Sequence, residues 1–176
     1  MVTATEFARQ AGDREAIRDC LYRYARGVDR CDEALVRSAF WPDAVADWAS
    51  FKGNPDELIA WAWPQLQGME QTVHNLGNML IGCDDGTART ETYLTAYHRL
   101  PGEGGAKTDL IVAARYLDRF EKRNDEWRII HRVVVQEWYR HFQDSAAWGD
   151  GLFGGKLRLG ERGDADPSYA MLHGRP

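Results

Sequence analysis

Asp29 and His74 are the residues of this chain whose types and settings could do chemistry together. Asp29 closes an amphipathic stretch in which Ile17, Leu21, Tyr24 and Val28 recur at helical spacing, and His74 lies inside the strand-like run Thr72-Val73-His74-Asn75-Leu76. A carboxylate set against an imidazole fixes its tautomer and stabilises the imidazolium that forms, giving a general base that needs neither metal nor nucleotide. An unperturbed imidazole titrates near about 6.5, so the neutral base is available close to pH 7. Strict alternation would put Thr72, His74, Leu76 and Asn78 on one face, making Asn78 a candidate to hydrogen-bond substrate or to support the pair. Simpler readings stand beside these. A histidine in an apolar strand is more often structural, and the alternative role of Asp29 is simply to end its helix or to cap the turn before Asp32.

The elements that must position these residues are marked by caps and turns. Asp13 reads as the N-cap of a helix running to about Asp29, and Asp32 as the cap of a short helix over residues 33–40 that Pro42 stops. Residues 45–48 read as a short strand. Asn54-Pro55-Asp56-Glu57 opens a third helix that carries Leu58, Ile59, Trp61, Ala62 and Leu66 inward and ends near Gly68. From Gln71 the pattern changes to strands over 72–81, 88–100, 108–120 and 127–138, joined by segments such as Asp84-Asp85-Gly86 and Arg123-Asn124-Asp125-Glu126 that have hairpin chemistry. Helices followed by an antiparallel meander predict an α+β fold, with a curved antiparallel sheet forming a cone-like half barrel around the N-terminal helices. No βαβ repeat fits, and no Gly-rich phosphate loop occurs. Residues 1–142 form the expected domain. Residues 143–176, with scattered Trp148, Leu152, Phe153 and Leu157, form an extension that is either a loose terminus or a flap over the barrel mouth or a neighbouring subunit.

Composition narrows the function classes. A chain of 176 residues with 44% hydrophobic content can bury one good core, and its net charge of −5 without a basic stripe argues against nucleic acid. No apolar run approaches the roughly 20 residues that would cross a bilayer, and the N-terminus lacks a signal-peptide pattern, so a cytoplasmic protein is expected. Cys20, Cys31 and Cys83 form no CxxC pair and read as reduced thiols. His74, His98, His131, His141 and His173 contain no HxH or HExxH spacing, and no GxSxG elbow occurs, so neither a catalytic metal nor a serine nucleophile is expected. Seven Trp, seven Tyr and six Phe are a generous supply for a pocket that takes a flat, apolar ligand.

The run from Ile17 to Asp29, the run Gln71-Thr72-Val73-His74-Asn75-Leu76-Gly77-Asn78, and the pair of runs Ala114–Arg123 and Trp127–Arg132 resemble the SnoaL-like, scytalone dehydratase-like branch of the cystatin-like α+β barrels, which share the nuclear transport factor two-like fold. The resemblance covers roughly residues 8–140 and is specific for fold, while the fold itself hosts many functions. It implies a cofactor-free lyase in which Asp29 and His74 form the base pair of a barrel-like pocket. It further implies that Tyr24 helps the leaving group, that His98 stands near a second acid–base residue, and that Arg132 stabilises an enolate, phenolate or carboxylate. Tyr97 and Trp48 join Asn78 as candidate substrate contacts. The expected reaction expels water, halide or a fragment such as formaldehyde from a small hydroxylated aromatic or polycyclic molecule. The alternatives are an isomerase or cyclase using the same pair, or a non-catalytic role as a binding module or small subunit of a ring-hydroxylating dioxygenase. The exposed face of such a sheet needs covering, which predicts a homo-oligomer, and the resemblance implies a trimer rather than a dimer.

Overall fold

The structure, a computed structural model, describes residues 3–143 and 159–173. Helix α1 (Ala4–Arg30) starts where the Thr3 side chain accepts the Glu6 amide, well before the Asp13 cap that the sequence predicts. Asp13 is instead buried in mid-helix. Its carboxylate accepts the Trp127 indole N–H at 2.8 Å and pairs with Lys122 at 3.2 Å, so a residue type common at caps ties the helix to the sheet. The stripe Ile17, Leu21, Tyr24 and Val28 is buried as its period requires. Cys31, in the left-handed region at φ 51°, ends the helix by donating its N–H to the Gly27 and Val28 carbonyls.

Asp32 caps α2 (Glu33–Ser38) by accepting the Leu35 amide. Phe40 and Pro42 then belong to strand β1 (Phe40–Asp47) rather than to the helix. After β2 (Lys52–Gly53), a full capping box between Asn54 and Glu57, with Pro55 in the first turn, opens α3 (Pro55–Gly68). The meander follows as β3 (Gln71–Asp84), β4 (Thr87–Pro101), β5 (Lys107–Arg123) and β6 (Glu126–Gln143). Asn124 and Asp125 take φ values of 51° and 63° in the last hairpin, the pair of left-handed residues that a tight turn matched to strand twist demands.

The sheet has the order β2-β1-β6-β5-β4-β3. Its four long strands are antiparallel, but β1 joins β6 in parallel, so the sheet is mixed where the sequence predicts a purely antiparallel one. The long excursion through α3 and the meander lets β6 return beside β1 in the same direction. Helix α1 packs across the inner face, where Tyr24 meets Phe40 and Tyr116 edge to face at 5.6 and 5.7 Å.

The described part of the extension is a built segment. A 3₁₀ turn (Gly163–Ala165) leads into α4 (Pro167–His173), and both fold back on α1 and α2. Tyr169 donates its hydroxyl to Asp32 at 2.6 Å, Arg26 donates to the Ser168 hydroxyl at 2.9 Å, and Arg30 pairs with Asp166 at 3.3 Å. Trp148, Leu152, Phe153 and Leu157 lie outside the described residues. Among the described residues no helix is long and apolar enough to cross a membrane.

Candidate active site

The last turn of α1 delivers Asp29 to the first half of β3, and the carboxylate grips His74 twice. Oδ1 lies 2.7 Å from His74 Nδ1, and Oδ2 accepts the His74 backbone N–H at 2.8 Å. The side chains are 13% and 6% exposed respectively, so little water competes for the contact and the charge-assisted bond keeps its strength. Nδ1 engaged by a carboxylate carries the proton, which leaves Nε2 as the basic nitrogen of a ring that lines a cavity.

That cavity has a volume of about 550 Å³ and lies between α1, α3 and the inner face of the sheet. Its walls are mainly apolar, with Trp61 and Trp63 from α3 and Leu94 and Val134 from the sheet. Trp48, at the end of β1, lies 6.1 Å from Trp61, itself stacked on Phe51 at 5.1 Å. The Trp48 indole N–H is buried and has no hydrogen-bond partner among the described residues, which leaves a donor at the cavity wall.

Tyr24 and His98 also line the cavity. Burial pushes the Tyr24 phenol up, against a smaller opposing pull from Arg132, so it stays protonated at neutral pH. His98 meets His74 edge to face at 5.6 Å. Burial, and then the neighbouring His74, hold it down to about 4, so it is a neutral ring near pH 7 and its buried Nδ1 has no partner among the described residues. The sequence reading missed Tyr116, whose phenol faces the same space and is pushed well up by burial. Its signal was present in the alternation of Val112, Ala114 and Tyr116 along β5.

Three candidates stand elsewhere. Arg132 does not line the cavity. It is wholly buried behind it, bonded by Nε and Nη2 to both oxygens of Asp118 at 2.7 and 2.8 Å, and its guanidinium lies over the Tyr24 and Tyr116 rings at 4.2 and 3.9 Å. Burial opposes its charge, but the Asp118 carboxylate holds its pKa above the ordinary arginine value. Asn78 is exposed on the outer face of the sheet. A β-bulge between Leu76 and Met79 adds a residue, so the alternation that would have turned Asn78 inward is broken and Met79 takes the inner side. Tyr97 points away from the cavity because its neighbours Ala96 and His98 face it, and its hydroxyl donates to Asp109 at 2.5 Å, which also binds Arg99 at 3.0 Å.

Among the described residues, no cluster of three or more His, Cys, Asp or Glu side chains is arranged to hold a metal ion. The arrangement could support acid–base chemistry, with one oriented imidazole, two neutral phenols and a second neutral imidazole around an apolar space.

The same arrangement of elements recurs in known proteins. A type 2 hexachlorocyclohexane dehydrochlorinase superposes with a TM-score of 0.71 at 20% identity, over 81% of this chain and 97% of that one. A protein of Novosphingobium aromaticivorans assigned as a scytalone dehydratase does so with a TM-score of 0.67 at 18% identity, over 78% and 93%. Likeness at these identities speaks to fold alone. In sequence, the terrestric acid biosynthesis cluster protein E of Penicillium crustosum is 29% identical over 133 residues, covering 72% of this chain and 84% of its own. The SnoaL-like domain model matches residues 9–133, a span that carries Tyr24, Asp29, His74, His98 and Arg132 on the elements described above, and the chain therefore belongs to the SnoaL-like domain family.

Proposed function

We propose that this chain is a cofactor-independent lyase that eliminates a small leaving group from a hydroxylated aromatic or polycyclic molecule. The observation that carries the reading is the 2.7 Å contact of Asp29 with His74 Nδ1 at the wall of a largely apolar cavity. His74 Nε2 takes a proton from carbon or oxygen of the substrate, and Asp29 stabilises the imidazolium. The electron pair released forms the new π bond and expels the leaving group, which takes a proton from the Tyr24 phenol. Arg132, stacked on Tyr24 and held by Asp118, stabilises the transient phenolate from behind the cavity wall rather than by touching substrate. Exchange of a proton from His74 to Tyr24 through water restores the site.

His98 is suited to hydrogen bonding rather than to acid catalysis, because a ring held down to about 4 carries no charge at neutral pH. Its unpartnered Nδ1 and the Trp48 indole N–H mark where an oxygen of the substrate would bind. Aromatic walls around about 550 Å³ fit a flat molecule of one to a few rings.

The test is mass-spectrometric. Metal-free wild type and His74→Ala protein are incubated with β-hydroxylated, halogenated, diaryl and polycyclic compounds. Loss of water, hydrogen halide or formaldehyde with wild type only is the expected result. An isomer of unchanged mass would replace the lyase with an isomerase or cyclase using the same pair. No conversion by folded protein across the panel would remove the enzymatic reading in favour of a binding or partner-subunit role.

A further inference from the structure

The base pair is assembled from two segments far apart in the chain, and a third segment, outside the matched domain, bonds to both. Arg162 precedes the 3₁₀ turn of the extension. Its Nη1 donates to the Asp29 backbone carbonyl at 2.7 Å and to the Thr72 hydroxyl at 2.9 Å, with the Val28 carbonyl at 3.5 Å. Its Nη2 reaches the Leu66 and Met69 carbonyls at 3.4 and 3.5 Å. The guanidinium therefore sits against the C-terminal ends of α1 and α3, where helices leave carbonyls unpaired and where their dipoles favour a cation. Thr72 is fully buried and stands two residues before His74 on β3.

The segment is held in turn. Asp166, nearly buried, accepts the Glu161 amide and the Ser168 amide at 3.0 Å each, bonds the Ser168 hydroxyl, and pairs with Arg30. Arg26 lies over the Tyr169 ring at 4.4 Å. These contacts give Arg162 a fixed origin from which its planar fork can span two helix ends and a strand, a geometry that a lysine ammonium does not match.

We propose that Arg162 is a positioning residue of the Asp29–His74 pair, holding the end of α1 and the start of β3 at the separation that puts the carboxylate on the imidazole. The inference rests on the reading of that pair as the base. It makes the segment 159–173 part of the catalytic apparatus, although it lies beyond the matched domain.

The experiment reads the imidazole directly and needs no substrate. Protein labelled with ¹⁵N-histidine is compared at pH 7 as wild type, Arg162→Ala, Arg162→Lys and Asp29→Asn, with His74→Ala assigning the signal. Wild type should show His74 protonated on Nδ1, and Asp29→Asn defines the released ring. Arg162→Ala should lower the Nδ1–H to Nε2–H ratio roughly 10-fold, with Arg162→Lys showing a smaller shift of the same sign, because an ångström-scale displacement breaks such alignment. Tyr169→Phe, which removes the hydroxyl bond to Asp32 but keeps the ring under Arg26 and every Arg162 bond, should leave the ratio unchanged. A wild-type ratio in Arg162→Lys, and in Arg162→Ala if that variant folds, overturns the proposal even if thermal stability falls. A wild type without the Nδ1–H signature overturns the base-pair reading itself, which is a distinguishable outcome.

Discussion

Asp29 commits both carboxylate oxygens to His74, one to the ring and one to the backbone amide, so the imidazole is fixed in tautomer and in place. Asp29→Asn should therefore cost about 10²–10⁴-fold in kcat while the protein stays folded, because an amide can present its NH₂ to Nδ1 and move the proton to Nε2, where the base must be free. Steady-state rates on the converted panel compound, with circular dichroism alongside, check this, and near-normal turnover would take the pair out of the mechanism. His98 carries a separate signature. Its folded value of about 4 lies below the ordinary 6.5, so the unfolded chain binds the extra proton first. The stabilisation is complete above pH 6.5, falls away as the pH drops toward 4, and is then exhausted, with a ceiling of about 3 kcal/mol that water in the cavity reduces. Urea unfolding at pH 7, 5.5 and 4 should show that loss in wild type and not in His98→Phe.

At the scale of elements, the end of α1 packs against α2 without room for a side chain at Gly27. A Cβ on Gly27 would meet Val36 Cγ2 at 2.8 Å and the Val36 backbone nitrogen at 2.9 Å, so α2 crosses α1 at a distance only glycine allows. Gly27→Ala should destabilise by about 1–3 kcal/mol, lowering Tm by roughly 3–10 °C, and should slow turnover because Asp29 follows two residues later. Gly12→Ala, with nothing within 4 Å of the added carbon, is the control and should be neutral or slightly stabilising. Scanning calorimetry of both variants decides whether the α1–α2 contact carries the strain. The helix stripe, the Asn54-Pro55 start of α3 and the hairpin turns were legible in the sequence because each is written within a few neighbouring residues. Asp13 was misread as a cap since its partner, Trp127, is remote in the chain.

For the whole molecule, the apolar outer face of the sheet sets the expected assembly. Tyr93 and Trp138 are 41% and 51% exposed there, and Leu80 is 65% exposed, an apolar load that single subunits seldom leave to water. We expect a homotrimer of the 20.0 kDa chain, read as its mass by light scattering, and Trp138→Lys should shift it toward monomer. A monomeric wild type at micromolar concentration would remove this expectation without touching the site, because every residue of the proposed mechanism comes from one chain.

By itself the sequence determined the class of the fold and the order and type of its main elements, and it singled out Asp29 and His74 as candidates, whose 2.7 Å contact only the folded chain makes. These follow from periodicity, caps and turns, whose free energies are local, and from a family pattern carried by short motifs. Only the tertiary structure decided the parallel pairing of β1 with β6, the bulge that turns Asn78 outward, the burial of Arg132 against Asp118, Tyr24 and Tyr116, and the reach of Arg162 across to Asp29 and Thr72. Each of these depends on register or on contacts between segments tens of residues apart. One added residue in a strand reverses every side chain beyond it, and no local rule reports where that residue is accommodated.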